Sequence, residues 1–252
     1  LILIDTLRSD HVSAFGYERP TTPELDRLIS RAAAFPNAYA AANNTPRSIP
    51  SIFIGRHPSE IPWAQRKRNF PALKKKADLL GEVMTRAGIE AVAVTDHFYF
   101  QPKRRLGQGF TTWDNGRSNS QTIKASNTHI SSPDVTRRAL SHLRRLAGAG
   151  ERFFLFVHYG DPHARYMVHK SGPRFGRKLK DKYDGEIAYT DRYVGELLAE
   201  VDKLGLTDKT AVVVLSDHGE AFGDHRFHFH GHNLHEEEIR VPLIMAGPGV
   251  KP

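Results

Sequence analysis

The 252-residue chain contains no cysteine. Disulfide bonds, thiolate metal sites and cysteine nucleophiles are therefore excluded. The sequence also has no internal repeat and no apolar run near the roughly 18 residues that a membrane-spanning helix requires. We expect that this stretch of chain does not cross a bilayer.

Acidic residues are comparatively few. The chain has 28 aspartate and glutamate residues but 36 lysine and arginine residues, which gives a net charge of +8. This excess favours anionic partners, such as a phosphate or sulfate ester, an acidic lipid surface or nucleic acid. The basic clusters are scattered and not interleaved with aromatic residues, unlike the arrays of single-strand binders, so no nucleic-acid partner is expected. An ordinary solvated basic surface is the alternative. The clusters are QRKR (65–68), LKKK (73–76), PKRR (102–105) and RFGRKLKDK (174–182).

Short runs rich in valine, isoleucine and phenylalanine predict buried strands, and amphipathic patterns between them predict helices. Strands that are apolar throughout and alternate with helices are typical of a mainly parallel sheet covered on both faces, which is an α/β fold. The strands are predicted at 1–4, 89–95, 152–159, 210–216 and 241–247. Helices are predicted at 21–35, 77–88, 132–150 and 184–205, with long loops at 98–132 and 164–182.

The two ends of the sequence and the start of its first helix allow further predictions. The chain opens inside one strand-like run and ends directly after another. We therefore expect residues 1–252 to form a single catalytic domain trimmed at both ends from a longer protein. Thr21 and Glu24 form a Thr-x-x-Glu pattern, which predicts a capping box.

Aspartate or histidine residues follow four of the predicted strands. In a parallel sheet these positions meet at one edge, where ligands bind. Asp5, Asp217 and His218 together offer two carboxylates and an imidazole, a set that suits a divalent cation. Each could instead be structural, since an aspartate at a strand end often caps the next helix. The complete set is Asp5, Asp96, His97, His158, Asp161, His163, Asp217 and His218.

Thr45 lies in the segment NNTPRSIPSIFIG, at the predicted start of a short helix. A threonine hydroxyl needs a metal or a base to become a nucleophile, and a cation held by Asp5, Asp217 and His218 could stabilise its alkoxide. Free amides at the helix start would also hold an anionic group. The alternative is that Thr45 only caps the helix. Five histidines (225, 228, 230, 232 and 235) crowd a later segment, which we interpret as an active-site loop supplying one or two of them.

Several ordered segments resemble the sulfatase family of the alkaline-phosphatase-like superfamily, and the resemblance covers essentially the whole chain. It implies a three-layer α/β/α fold with a mainly parallel sheet. The segments are LILIDTLRSDHVSAFGYERPTTPELDRL, FPNAYAAANNTPRSIPSIFIGRHP, FVHYGDPHARY, YDGEIAYTDRYVGELL and VVVLSDHGEAFGDH followed by FHGHNLHEEEIRVPLIMAGPGV.

The resemblance also implies roles for individual residues. Thr45 takes the position of the nucleophile, and His163 and His230 match histidines that contact the transferred group or protonate the leaving oxygen. Arg47 and His158 are weaker candidates for binding the substrate. The implied metal ligands are Asp5, Thr45, Asp217 and His218.

The chain departs from activated sulfatases at its nucleophile. Those enzymes convert a cysteine within Cys-x-Pro-x-Arg to formylglycine, whereas this chain has Thr45 there and Ile49 at the arginine position. Formylglycine chemistry is therefore impossible. Thr6 replaces the second aspartate of the usual pair, which weakens the case for a many-oxygen calcium site. The Thr-x-x-Ser-x-Pro-Ser pattern is similar to relatives with a threonine nucleophile, including phosphoglycerol and phosphoethanolamine transferases that use manganese or zinc.

The sequence thus predicts a hydrolase or transferase of sulfate or phosphate esters that depends on one divalent metal ion, either Mn, Zn or Ca. Its substrate would be an anionic ester, lipid-linked or polymeric. By resemblance the domain would face the periplasm or the cell exterior, with membrane association through parts of the parent protein outside this sequence. The competing interpretation is a catalytically silent domain of the same fold that binds polyanions or lipid headgroups.

Overall fold

The computed structural model describes residues 1–64, 69–119, 122–126 and 128–252. The basic cluster at 65–68 lies outside the described residues. The described strands are β1 (Ile2–Ile4), β2 (Ala33–Tyr39), β3 (Glu90–Val94), β4 (Thr112–Asp114), β5 (Phe153–Tyr159), β6 (Val212–Leu215), β7 (Ala221–Phe222), β8 (His228–Phe229) and β9 (Arg240–Ala246). The described α-helices are α1 (Pro23–Ile29), α2 (Thr45–Ile54), α3 (Leu80–Arg86), α4 (Ile123–Ser126), α5 (Ser132–Ala149), α6 (Leu179–Lys203) and α7 (Glu236–Ile239). Short 3-10 turns lie at Ser9–His11, Ser13–Phe15, Phe98–Phe100, Pro102–Arg104, Gly116–Asn119, Thr207–Lys209 and Asp224–Arg226.

Seven strands form the central sheet, in the order β2-β9-β6-β1-β5-β3-β4. Five consecutive strands of this sheet run parallel to one another, from β6 through β1, β5 and β3 to β4, whereas β9 runs antiparallel to both β6 and β2. Strands β7 and β8 form a separate antiparallel pair. All five strands predicted from the sequence are present, and the mainly parallel sheet is confirmed.

The strands are buried on both faces because helices cover each side of the sheet. Ile2 and Ile4 of β1 pack into a core cluster with residues of α1, α5 and α6. Leu3, between them, packs on the opposite face with Ile49 and Phe53 of α2. Burial of each such side chain contributes roughly 1.5–3 kcal/mol to folding. The result is the three-layer α/β/α fold that the resemblance implies.

The predicted helix at 21–35 is only partly correct. Helix α1 ends at Ile29, and Ala33–Tyr39 form an edge strand paired with β9. Alanine-rich sequence suits a helix, but backbone pairing with β9 prevails here over local propensity. Pro36 is compatible with an edge strand because it lacks the amide hydrogen that a central strand needs.

The predicted capping box at Thr21 and Glu24 is wrong. Thr22 occupies the N-cap position of α1 and makes no side-chain cap, while the hydroxyl of Thr21 donates to the carbonyl of His11. Asp191 of α6 supplies the cap instead. Its two carboxylate oxygens accept the amide hydrogens of Glu24 at 2.8 Å and of Leu25 at 2.9 Å. A contact between distant helices therefore replaces the local motif.

The predicted loops contain more regular structure than their composition indicates. Strand β4 and helix α4 lie within 98–132, and α6 begins at Leu179, earlier than the predicted 184. From His163 to Lys178 the chain does run without a helix or strand. None of the helices in the described residues is both long enough and apolar enough to span a membrane.

Candidate active site

A buried polar cluster lies where the neighbouring parallel strands β1 and β6 end. Asp5 follows β1, and Asp217 and His218 follow β6. All three side chains are fully buried, and each offers one ligand atom within 4.8 Å of the other two. The sheet thus brings together residues that are far apart in the sequence, as expected for strand ends in a parallel sheet.

Hydrogen bonds between the two turns hold this cluster in place. The amide of Leu7 donates to Oγ of Ser216 at 2.9 Å, and that hydroxyl donates to the carbonyl of His218 at 2.7 Å. At Gly219 a Cβ atom would lie 2.2 Å from the carbonyl oxygen of Glu237, which is closer than any contact that real Cβ atoms make. Only glycine therefore fits directly behind His218.

His218 is held in one tautomer with its second nitrogen facing the cluster. Its Nδ1–H donates to the carbonyl of Gly219 at 2.9 Å, so Nε2 carries an unprotonated lone pair that can accept a hydrogen bond or bind a cation. Nε2 lies 3.5 Å from Oδ2 of Asp217 and 3.6 Å from Oδ1 of Asp5. Burial lowers the pKa of His218 to about 3, so the imidazole is neutral at physiological pH.

The two carboxylates of the cluster perturb each other. Burial and the charge of Asp5 raise the pKa of Asp217 well above its ordinary value. Burial alone would also raise the pKa of Asp5, but nearby imidazoles, first that of His158, outweigh it and lower that pKa. Among the described residues, the carboxylate oxygens of both residues have no hydrogen-bond donor in good geometry, although Nε2 of His158 lies 3.2 Å from Oδ2 of Asp5.

Buried acceptors without donors are costly unless another partner satisfies them. Two carboxylates and a neutral imidazole lone pair converge here, and this donor set fits a divalent cation such as Zn²⁺ or Mn²⁺. Asp5, Asp217 and His218 are the residues that would hold it.

Thr45 is the first residue of α2, and its side chain belongs to the same cluster. Asn44 occupies the N-cap position, so the alternative that Thr45 only caps the helix does not hold. The Thr45 side chain is buried, and Oγ1 lies 3.1 Å from Nε2 of His218. The free amides at the start of α2 add a favourable environment for an anion beside this hydroxyl.

His163 and His230 meet above the cluster, with ring centroids 4.8 Å apart, and their pKa values are shifted in opposite directions. Nδ1–H of His230 donates to Oε1 of Glu220 at 2.8 Å, and the hydroxyl of Tyr166 donates to the other oxygen of that carboxylate at 2.8 Å. Burial by itself lowers the pKa of His230, but the Glu220 carboxylate outweighs it and the pKa is raised. Nδ1–H of His163 donates to the carbonyl of Ala164 at 2.7 Å, and burial lowers the pKa of His163.

A cavity of about 380 Å³ opens beside Thr45 and is large enough for a small ester group. Arg47 lines it, with its guanidinium carbon 5.1 Å from the centre of the Trp63 ring. The residues that line the cavity are Asn44, Thr45, Pro46, Arg47, Asn69, Phe70, His97, Phe98, Tyr99, His163, His230 and Gly231.

Other residues at the strand ends have structural contacts. His158 is buried behind Asp5, with Nε2 3.2 Å from its Oδ2, so the structure places it beside a carboxylate rather than in the cavity. Asp161 accepts the amide hydrogens of Ser131 at 2.6 Å and Ser132 at 2.9 Å, at the start of α5. Among the five crowded histidines, only His230 is shielded; the other four are exposed.

Sequence reasoning missed the acidic residues that support the cavity wall. Glu220 follows His218 by two positions, and this spacing could have drawn attention to it. Glu238 is also fully buried. Its Oε2 accepts the amide hydrogens of Gly231 at 2.8 Å and His232 at 3.1 Å, together with a side-chain amide hydrogen of Asn43 at 3.1 Å. No local pattern signals these contacts, because they form only in the folded chain.

Comparisons with known proteins show which family and which folds the chain resembles. A family model described as Sulfatase matches residues 1–252. Arylsulfatase K from Mus musculus is 39% identical over 75 residues, covering 30% of this chain and 13% of the relative. Iduronate 2-sulfatase from Homo sapiens is 22% identical over 327 aligned positions, covering 99% of this chain and 59% of the relative. The chain thus spans well under two thirds of the length of either relative.

Solved structures share the fold at low sequence identity. Ps i-CgsB in complex with k-i-k-neocarrahexaose superposes with a TM-score of 0.76 at 20% identity, covering 100% of this chain and 66% of the other. The soluble domain of lipooligosaccharide phosphoethanolamine transferase A from Neisseria meningitidis gives 0.69 at 17%, covering 97% and 74%. The periplasmic domain of EcEptC from Escherichia coli, in complex with Zn, gives 0.73 at 17%, covering 98% and 72%.

Proposed function

Because the chain belongs to the sulfatase family, we propose that it is a metal-dependent hydrolase or transferase of sulfate or phosphate esters with Thr45 as its nucleophile. The observation that carries this proposal is the position of the Thr45 hydroxyl. It lies 3.1 Å from Nε2 of His218, in a fully buried cluster where the two carboxylates and this imidazole each offer one ligand atom within 4.8 Å of one another.

The divalent cation is part of the proposal. Held by Asp5, Asp217 and His218, it would supply Lewis-acid chemistry, polarising the ester and stabilising negative charge on the reacting oxygens. The zinc complex of the structurally similar EcEptC domain is consistent with this expectation. Measurement must decide whether the cation in this protein is zinc, manganese or calcium. A site with only two carboxylates suits zinc or manganese better than calcium, which prefers about six to eight oxygen ligands.

Thr45 and the two histidines above it would perform the chemical steps. Once the Thr45 hydroxyl has released its proton to solvent, its oxygen bonds to sulfur or phosphorus while the bond to the leaving alcohol breaks, which gives a covalent ester of Thr45. His230, whose pKa Glu220 raises, donates a proton to the leaving oxygen. His163 has a lowered pKa and a free Nε2, so it can accept a proton from the water or acceptor alcohol that resolves the Thr45 ester.

The substrate in this proposal is an anionic ester carried by a lipid or a polymer. The net charge of +8 attracts anions to the protein. The similar proteins include iduronate 2-sulfatase and a phosphoethanolamine transferase, so both ester classes are represented among them. A threonine in place of the formylglycine precursor favours phosphate over sulfate.

Replacement of the nucleophile tests the proposal. We expect Thr45→Ala to abolish turnover of aryl sulfates, phosphate monoesters and phosphodiesters while metal content, measured by mass spectrometry, stays within a few-fold of wild type. Thr207→Ala, at the opposite end of the sheet, is the matched control and should retain activity. Full activity of Thr45→Ala would contradict the proposal. Absence of turnover by the wild type on all three ester classes would favour the catalytically silent binding domain.

A further inference from the structure

Two chain segments adjoin the cavity-lining residues His163 and His230. We name residues 165–180 and 227–234 together the rim. The two segments approach each other near the cavity, where the rings of His163 and His230 are 4.8 Å apart and the hydroxyl of Tyr166 donates to Glu220 at 2.8 Å. Both histidines line the cavity, so each rim segment either begins next to a residue of the site or contains one.

Exposed apolar side chains are concentrated on the rim. Of the nine large hydrophobic side chains that are exposed among the described residues, six belong to these two short segments. Val168 is 56% exposed and Leu234 is 71% exposed. Single exposed apolar residues are ordinary, but their concentration in two segments that adjoin the site indicates an interaction surface. The six are Met167, Val168, Leu179, Phe227, Phe229 and Leu234.

The rim also carries cations without acidic partners. The first segment has six exposed lysine and arginine residues, and none of the six forms an ion pair with a described acidic residue. The acidic residues next to this segment in the fold are engaged elsewhere, since Asp181 and Asp184 both pair with Arg19. The cations are Arg165, Lys170, Arg174, Arg177, Lys178 and Lys180.

Buried contacts attach the first rim segment to helix α6. The ring of His169 stacks on Tyr189 with centroids 3.5 Å apart, and its Nε2 contacts the buried carboxylate of Glu186. The amide of Met167 donates to the other oxygen of the same carboxylate. Farther along, the guanidinium of Arg19 lies 5.7 Å from the centre of the Phe175 ring. The exposed side chains are therefore presented on a backbone that is held in place.

We propose that the rim docks onto the surface of an anionic lipid bilayer. Cations attract the headgroups of anionic lipids, and apolar side chains enter the boundary between headgroups and acyl chains. A soluble polyanion would use the cations alone and would offer nothing to the six exposed apolar residues. The inference rests on the proposed function and deepens it: the ester would be a lipid headgroup, delivered to Thr45 at the membrane surface.

Vesicle binding tests this inference without depending on catalysis. The full chain is sedimented with vesicles of phosphatidylcholine alone and with vesicles that also contain phosphatidylglycerol. We expect binding only to the anionic vesicles, with Thr45→Ala binding as well as wild type. The double variant Val168→Ser/Lys170→Glu should partition at least about tenfold more weakly, since each cation near a bilayer surface contributes about 1 kcal/mol. Leu234→Ser should weaken partitioning from the second segment.

The matched control changes the same residue types elsewhere on the surface. Val83 and Lys76 are both exposed and line a groove beside α3, so Val83→Ser/Lys76→Glu should bind anionic vesicles as wild type does. Equal loss in the control and the rim variant would overturn the inference. Binding to dextran sulfate without binding to anionic vesicles would also overturn it and would identify a soluble polyanion as the partner.

The two proposals fail in distinguishable ways. If the wild type turns over a soluble ester but does not bind vesicles, membrane docking by the rim is contradicted and the proposed function is not. If the wild type binds anionic vesicles but turns over no ester, membrane docking by the rim is supported and the proposed function is contradicted.

Discussion

Glu220 and His230 are joined by a hydrogen bond of 2.8 Å between Oε1 and Nδ1, deep in the wall of the cavity. The hydroxyl of Tyr166 occupies the second carboxylate oxygen, so Glu220 cannot turn away from the imidazole. The pair orients His230 and favours its protonated form, which are the two properties that a proton donor to the leaving oxygen requires.

Removing the charge of Glu220 should most reduce turnover of substrates with a poor leaving group, which needs a proton to depart. We expect Glu220→Gln to lower kcat/KM about a hundredfold for alkyl esters, because His230 then loses its preference for the cationic form. For 4-nitrophenyl esters the loss should be small, since nitrophenolate leaves without a proton. Glu200→Gln, a change on α6 at a residue paired with Arg144, is the control. Equal losses on both ester types would contradict the assignment of His230.

Metal binding should be visible in thermal stability without any activity measurement. A ligand at a hundred times its Kd stabilises a folded protein by about 2.7 kcal/mol, so Zn²⁺ or Mn²⁺ should raise the Tm of the wild type. Asp217→Asn should remove this increase, whereas Asp208→Asn, remote from the cluster, should retain it.

In the presence of a chelator, which removes bound metal, the stability of Asp217→Asn should no longer fall below that of the wild type. At pH 8 we expect Asp217→Asn to be at least as stable as the wild type, because it removes a buried carboxylate that Asp5 repels. A large increase in the Tm of Asp217→Asn on addition of Zn²⁺ or Mn²⁺ would show that the cation binds elsewhere. A large loss of stability of this variant in chelator would contradict the assignment as well.

Asp191 should make stability depend on pH. Burial raises its pKa to about 7, despite the two backbone hydrogen bonds that it accepts at the start of α1. A raised carboxyl pKa means that the folded state binds the proton more tightly than the unfolded chain. The stabilisation is therefore complete below about pH 4 and is lost as pH rises through 7, by up to about 4 kcal/mol.

Urea denaturation of the wild type and Asp191→Asn between pH 5 and pH 8 measures this contribution. The free energy of unfolding of the wild type should fall relative to that of the variant as pH rises, because asparagine does not titrate. Asp202→Asn, an exposed position on the same helix, serves as the control. A difference between wild type and Asp191→Asn that stays constant with pH would contradict the prediction.

The strands of the central sheet could be predicted because each one is marked by a pattern within its own short stretch of sequence. Runs such as residues 89–95 are apolar throughout, and this pattern alone indicates a buried strand. Asp5, Asp217 and His218 could be placed at one sheet edge for the same reason, since parallel strands align their ends. Their roles as ligands, and that of Thr45 as nucleophile, stay predictions.

Features that depend on distant contacts could not be predicted in this way. Ala33–Tyr39 become a strand only because β9 is present to pair with them. The cap that Asp191 places on α1 joins residues 167 positions apart, and the hydrogen bond from Tyr166 to Glu220, which fixes the partner of His230, joins residues 54 positions apart. Periodicity and spacing within one segment carry no information about such pairs.

The bracing of the two turns has a consequence for synthesis of the chain. Leu7 and Ser216, which hold Asp5 beside His218, are separated by 209 positions. On the ribosome, Asp5 emerges long before its partners, so the proposed ion-binding cluster cannot assemble until most of the chain has been translated. Closing so long a loop makes the contact slow to form. Capture of the proposed ion would therefore report completion of folding, and an amino-terminal fragment that stops short of β6 would not retain it.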